Sequence, residues 1–261
     1  MPILTSLGSS SSRAYGQNGN IIIPGNSGII TSGSSYTLPY TTGFTINVLV
    51  IAGGGGGGGG STRNAANAGY NVGAGGGGAG AAAYATNLSI LPGQVVTFDI
   101  GGAGSAGSPR DGRYTSGSAG TSGSATVFYI NGTSYATAGG GGPGQISPDS
   151  TAGSAGTVNV GSNALSAQAG GAGTSTNQFT GQGGYGAAGY TINTTVGLSI
   201  GSIIGYGSQG ATYTAGGPSS TSGTVYGAGG GGGGTNQSDQ QSPANAYPAA
   251  GTAGAVFIWW G

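Results

Sequence analysis

Eight consecutive glycines, Gly53 to Gly60, follow directly on the apolar run Val48–Ala52. Glycine loses more backbone freedom on ordering than any other residue. An ordered run of it has no side chain to bury, so every N–H and C=O needs a partner. Two solutions exist. The run can be a solvated linker. It can also be an extended threefold helix, polyglycine II, which packs beside others because no Cβ holds the backbones apart. At ~3.1 Å per residue such a run crosses roughly 25 Å, the width of a small domain.

Further glycine-rich blocks bear on the choice: Gly73–Gly80, Gly139–Gly144, Gly170–Gly173 and Gly227–Gly234. Most begin with Ala, and AGGGG recurs at Ala52, Ala74, Ala138 and Ala228. A linker sits between domains, whereas these blocks abut strand-like segments. Packed polyglycine is therefore favoured over mobile loops. The expected glycine core is Gly53, Gly54, Gly55, Gly56, Gly57, Gly58, Gly59 and Gly60, with Gly75, Gly76, Gly77 and Gly78. It continues with Gly139, Gly140, Gly141 and Gly142, and with Gly229, Gly230, Gly231, Gly232, Gly233 and Gly234. Collagen is excluded, because it needs glycine at every third position with abundant proline, and these runs are consecutive.

Helix signals are absent: no window sustains a 3.6-residue period, and Gly, Ser, Thr and Asn dominate. Strand signals recur in NIIIPG from Asn20, SYTLPY from Ser35, FTINVLVIA from Phe44 and AAYATNLSI from Ala82. They continue in QVVTFDIG from Gln94, SATVFYI from Ser124, TSYATAG from Thr133 and AVFIWW from Ala255. TVNV from Thr157 and GLSIGSIIG from Gly197 are weaker. The tetrapeptide Leu91–Gln94, with Pro then Gly inside, predicts a type II turn. Asn131-Gly132 predicts a hairpin between two strands. The expected fold is all-β: an antiparallel, sandwich-like set of strands with packed polyglycine-II helices and Gly/Ser-rich loops, and no α-helix. Residues 1–29 are expected to form an attachment or assembly segment, and 30–261 the glycine-rich domain.

Glycine makes up 66 of 261 residues and charged residues 3%; ordinary usage is ~7% and ~25%. Disordered chains stay solvated through charge, which this chain lacks, while it carries 14 Tyr, 5 Phe and 2 Trp. The basic residues are Arg13, Arg63, Arg110 and Arg113, and the acidic ones Asp99, Asp111, Asp149 and Asp239. Four scattered cations make no footprint for nucleic acid or for an anionic membrane. No run approaches the ~18 apolar residues of a membrane span, and the first residues lack a secretory signal. The expectation is neither membrane insertion nor export, but release by lysis.

The chain has no His, Cys, Lys or Glu. A serine nucleophile thus lacks its usual base. Paired-carboxylate hydrolysis needs two acids held together, and the aspartates are scattered. No D-x-D-x-D pattern supports calcium. GxGxxG arises from composition alone, without the lysine or helix a phosphate loop needs. No catalytic residue, metal or cofactor is expected, and the chain reads as a non-enzyme. SPRDGRY, from Ser108, concentrates two arginines and reads as a solvated turn, with a subunit or receptor contact as the alternative.

The tyrosines are the surplus. Tyr70, Tyr185, Tyr190, Tyr206, Tyr213 and Tyr226 sit among Gly, Ser, Asn and Thr. Their rings could cap a glycine layer against water. They could equally bind a ligand, since Tyr, Ser, Gly and Asn are the residues of adaptable recognition loops. Trp259 and Trp260 end a strand, so one should face a core and the other an interface.

These segments come in a familiar order. VLVIAGGGGGGGG is followed by GAGGGGAGAAAYATNLSILPGQVVTFDIGGAG, then GTSGSATVF, YATAGGGG and a closing GTAGAVFIWWG. This order resembles the glycine-rich domain of phage tail-fibre and other virion appendage proteins. The glycine blocks are also similar to the polyglycine-II distal adhesins of T-even-like phages. The resemblance implies a tail-fibre or tail-tip adhesin that presents Tyr- and Asn-bearing loops on a rigid platform. Its expected partners are a bacterial surface glycan or outer-membrane protein, other virion proteins through the N-terminal segment, and further copies of itself. Its expected location is the virion, extracellular after lysis. The alternative is a structural subunit, a capsid decoration or fibre component, without a receptor role.

Overall fold

The computed structural model describes residues 28–31, 35–37, 43–59, 74–108, 117–146, 152–154, 156–160, 163–165, 174–175, 180–182, 186–192, 204–206, 225–233, 235–236, 244–245 and 247–260. Among them there are strands and extended segments and no helix. The strands are β1 (Gly28–Ile30), β2 (Ser35–Thr37), β3 (Phe44–Ile51), β4 (Ala82–Ile90), β5 (Val95–Asp99) and β6 (Thr126–Ile130). Next come β7 (Thr133–Ala138), β8 (Val158–Val160), β9 (Asn163–Leu165), β10 (Thr174–Ser175), β11 (Thr180–Gln182) and β12 (Tyr190–Ile192). The last are β13 (Ile204–Tyr206), β14 (Val225–Tyr226), β15 (Thr235–Asn236), β16 (Ala244–Asn245) and β17 (Ala255–Trp260).

Two five-stranded sheets, β1-β17-β3-β4-β9 and β2-β5-β6-β7-β8, form an antiparallel sandwich. Its core takes Val48 and Val50 from β3, Val256 and Ile258 from β17, Phe98 from β5, and Phe128 and Ile130 from β6. Successive strand residues face opposite ways, so Leu49 and Ile51 of β3 face away from this core. They pack with Phe257, Trp259 and Tyr190 in a second cluster. Tyr190 comes from a three-stranded sheet, β13-β12-β14, which covers the outer face of the first. β3 is thus apolar on both faces because both are buried, as its continuous hydrophobic run requires. Each such aliphatic side chain contributes about 1.5–3 kcal/mol on burial. A four-stranded sheet, β10-β11-β15-β16, completes the strands.

Both predicted turns form. Gly93 has φ 76°, as the third position of a type II turn demands, and the Gln94 N–H donates to the Leu91 carbonyl at 3.2 Å. Asn131 and Gly132 both have positive φ, the hairpin geometry that follows the right-handed twist of the strands. Val95 N–H donates to Asn131 Oδ1 at 2.9 Å, fastening this turn to β5.

Some boundaries differ from the sequence reading. SATVFYI yields a strand from Thr126, because Ser124 and Ala125 belong to an extended column described below. Of SYTLPY, Ser35–Thr37 is strand, and of GLSIGSIIG, Ile204 and Gly205 fall in β13. NIIIPG lies outside the described residues. β1 begins at Gly28 and straddles the expected segment boundary after residue 29.

Candidate functional site

The glycines that follow β3 form the axis of a bundle. Going along 52–59, successive N–H groups point to three neighbours in rotation. Ala52, Gly55 and Gly58 donate to Ala81, Gly78 and Gly75 at 2.9, 2.9 and 3.0 Å. Gly53, Gly56 and Gly59 donate to Ser124, Thr121 and Ser118. Gly54 and Gly57 donate to Thr252 and Ala249. The donor number rises by three as the acceptor falls by three, which is the signature of a threefold extended helix beside antiparallel copies.

The carbonyls of 52–59 close the pattern. Gly53 and Gly56 accept from Gly141 and Gly144, Gly54 and Gly57 from Gly104 and Gly107, and Gly55 and Gly58 from Gly230 and Gly233. Here both numbers rise together, so these three columns run parallel to the axis. The axis is therefore ringed by six columns: 74–81, 139–146, 117–125, 101–108, 247–254 and 227–233. Neighbours in the ring also bond, as in Gly78 to Gly142, Gly123 to Gly141, Ser124 to Gly102, Gly251 to Gly104, Ala249 to Gly231 and Gly80 to Gly227. Outside the ring, 152–154 and 156–157 lean on 74–81 and 139–146, and 186–189 on 74–81 and 227–233.

The sheets dictate this alternation. β3, β5, β7 and β14 run into 52–59, 101–108, 139–146 and 227–233, whereas 74–81, 117–125, 186–189 and 247–254 run into β4, β6, β12 and β17. Antiparallel strands thus deliver columns of opposite direction side by side. Thr126, fully buried, fastens the junction: its hydroxyl donates to the Ile51 carbonyl at 2.7 Å and accepts from the Gly101 N–H at 2.8 Å.

From 53 to 59 the axis admits glycine alone. A Cβ on Gly53, Gly56 or Gly59 would overlap the carbonyls of Gly102, Ser105 or Ser108. On Gly54 and Gly57 it would overlap those of Ala228 and Gly231, on Gly55 that of Gly142, and on Gly58 it would lie 2.6 Å from that of Gln145. The Cα–H bonds there point at carbonyls of the parallel neighbours, weak contacts added to the N–H bonds. The expected core residues Gly53–Gly59, Gly75–Gly78, Gly139–Gly142 and Gly229–Gly233 all lie in these columns. Gly60 and Gly234 lie outside the described residues, as does the block Gly170–Gly173.

The glycine-run criterion missed several columns. In 101–108 the glycines facing the axis are Gly101, Gly104 and Gly107, and in 117–125 they are Gly117, Gly120 and Gly123. Apart from the exposed Gly102, the remaining positions carry Ala, Ser or Thr, with Ala103, Ser105, Thr121 and Ser122 exposed to solvent. A period of three in short glycine patterns was the available signal. Consecutive glycine marks a column surrounded on all sides, and glycine every third residue marks one at the rim.

The bundle has two ends. At the end away from the sandwich lie Gly59, Ala74, Ser108, Gly117, Ile146, Gly233 and Tyr247, where described columns end or begin. At the opposite end β1 enters, β17 finishes, and the turns at Pro92-Gly93 and Asn131-Gly132 sit.

The candidate tyrosines separate. Tyr190 is 1% exposed and caps the glycine bundle from within the second cluster: a Cβ on Gly227 would touch its ring at 3.7 Å. Tyr226 is half-buried against the same cluster. Tyr190 stands opposite both Tyr206 and Tyr226 in the sheet register, so the fold brings these three into one row. Tyr70, Tyr185 and Tyr213 lie outside the described residues, as does SPRDGRY after its first serine. A tyrosine that the sequence reading passed over, Tyr247, is 67% exposed at the far end of the bundle. Its pairing with proline, in Tyr247-Pro248 at the head of a column, was its signal.

Of the two tryptophans, Trp259 is 3% exposed and stacks on Phe257 with ring centroids 5.4 Å apart. Asp99 is the one carboxylate among the described residues and accepts a 3.1 Å bond from the Tyr129 hydroxyl. Burial, then the Asp99 carboxylate, pushes the Tyr129 hydroxyl above the usual tyrosine range. The described outer columns are uncharged and offer hydroxyls, methyls and backbone to solvent.

A family model described as a glycine-rich domain matches residues 8–260. No curated protein matches the chain.

Proposed function

The chain belongs to the glycine-rich domain family, and from that premise and its two-ended architecture we propose that it is a phage virion appendage protein, a tail-fibre or tail-tip adhesin. The bundle is the platform. Its far end, where columns end and begin, binds a bacterial surface glycan or outer-membrane protein. The strand end, where β1 enters, faces the rest of the particle. The observation that carries this reading is the segregation of the two ends. The columns 52–59, 101–108, 139–146 and 227–233 end at the far end and 74–81, 117–125 and 247–254 begin there, while β1 and β17 open at the other. A stiff spacer with chain connections at one end and its anchor at the other suits recognition at a distance. The near absence of charge supports contacts through rings, hydroxyls and amides, which salt screens little. Tyr247 replaces Tyr190 as the contact of choice, because Tyr190 is enclosed.

The test is adsorption of the purified, labelled protein to host cells. Saturable binding at micromolar protein that competes with intact phage supports the reading. No adsorption at that concentration overturns it and leaves the structural subunit, without a receptor role, as the reading to pursue.

A further inference from the structure

Residues 247–260 occupy a position unlike any other segment. As a column, 247–254 completes the ring around the glycine axis: Thr252 and Ala249 accept from Gly54 and Gly57, and Gly251 and Gly254 donate to Gly104 and Gly101. The same stretch accepts from Gly227 at Ala253, and its Thr252 N–H and Ala249 N–H donate to Ala228 and Gly231. As a strand, β17 lies in the interior of its sheet, paired with β1 on one side and β3 on the other. It brings Val256, Phe257, Ile258 and Trp259 into both hydrophobic clusters, each 3% exposed or less.

The segment follows in the chain everything that it completes. Among the described residues it supplies the acceptors for the buried N–H groups of Gly54 and Gly57. Among the described residues it is also the one strand paired with β1, and it covers the edge of β3 opposite β4. Buried backbone groups without partners are strongly disfavoured, and an open apolar edge is a template for pairing with another chain. The specificity of the vacancy is steric. It admits an extended peptide with glycine where Gly251 and Gly254 stand, since a Cβ there would overlap the Gly54 and Ile51 carbonyls.

We propose that residues 247–260 are a separable closing segment. The rest of the chain forms a groove, between 52–59, 101–108 and 227–233 and continuing between β1 and β3, that binds this segment. The groove takes it from its own chain or from a second copy, so that two chains can exchange it. The partner it fits is an uncharged extended peptide, small and glycine-spaced in its first half and apolar in its second.

The test uses the full chain. A protease site is inserted between Gln240 and Gln241, and the folded protein is nicked there. The expected result is a nicked protein that keeps its C-terminal fragment through size exclusion. After unfolding and refolding with a tenfold excess of labelled 247–260 peptide, more than half of the refolded protein should carry the label. The same peptide with Gly251→Ala and Gly254→Ala should be excluded by at least tenfold. Two results would overturn the proposal: loss of the fragment on dilution while the remainder stays protease-resistant, or equal uptake of the two peptides. Adsorption to cells is not part of this readout, so its outcome is separate from that of the proposed function.

Discussion

Thr126 and Ile51, 75 positions apart, are joined by a 2.7 Å hydrogen bond from the threonine hydroxyl to the isoleucine carbonyl, at the level where strands become glycine columns. The same oxygen accepts from Gly101, and a Cβ on Gly254 would come within 2.6 Å of it. One hydroxyl thus ties the roots of columns that follow β3 and β5 and precede β6 and β17. Thr126→Val keeps the shape, removes the bond to the Ile51 carbonyl and takes away the acceptor of the buried Gly101 N–H. The expected loss is about 1–3 kcal/mol, read by denaturant unfolding, and Thr126→Ser should recover most of it.

Glycines two residues apart in one column should behave oppositely. A Cβ on Gly102 meets nothing within 4 Å, whereas one on Gly104 meets the Thr121 carbonyl. Gly102→Ala is expected to be neutral or stabilising by about 0.4–1 kcal/mol through the unfolded chain. Gly104→Ala, and Gly56→Ala on the axis, should each cost more than about 3 kcal/mol or prevent folding, as severe overpacking does. Thermal unfolding of these variants decides whether the columns pack as described.

Tyr190 and Tyr247 separate stability from binding. Tyr190→Ala removes a ring enclosed between the first sheet and the glycine bundle and should cost about 3–5 kcal/mol. Tyr247→Ala removes an exposed ring and should leave stability within about 0.5 kcal/mol while weakening adsorption to host cells. Unchanged adsorption would remove Tyr247 from the contact surface.

Stability should respond weakly to pH, with an alkaline exception. The Tyr129 hydroxyl titrates higher folded than unfolded. Its contribution is therefore complete below the ordinary tyrosine value of ~10 and is lost as pH rises through the raised folded value. Tyr129→Phe removes that contribution, so it should lower the neutral plateau of a stability–pH profile slightly and flatten the alkaline limb.

The glycine runs and the strands around them were legible because they obey simple rules. Gly53 to Gly59 could not be ordered without backbone partners, and β3 could not be apolar on both faces without being covered twice. Rim columns such as 101–108 were not legible by glycine runs, because only one face of each needs to be bare. Short strands such as β12 and β14 escaped for a different reason. Two or three residues carry no period of their own, and they are strands because Tyr190 is held over Ile51 and Phe257. The role of Tyr190 depended on what lies above it, which neighbouring sequence does not state.

The axis of 52–59 repeats every three residues, and that regularity has a cost in information. A column displaced by one repeat makes the same hydrogen bonds with the same neighbours, so the bundle by itself cannot tell one alignment from the next. The sandwich breaks that degeneracy. Val48, Val50, Phe98 and Phe128 have shapes that match in one alignment, and the Thr126 hydroxyl reaches the Ile51 carbonyl in that alignment alone. The strands act as the vernier that sets the phase of the glycine columns, and the columns carry that setting unchanged to the far end.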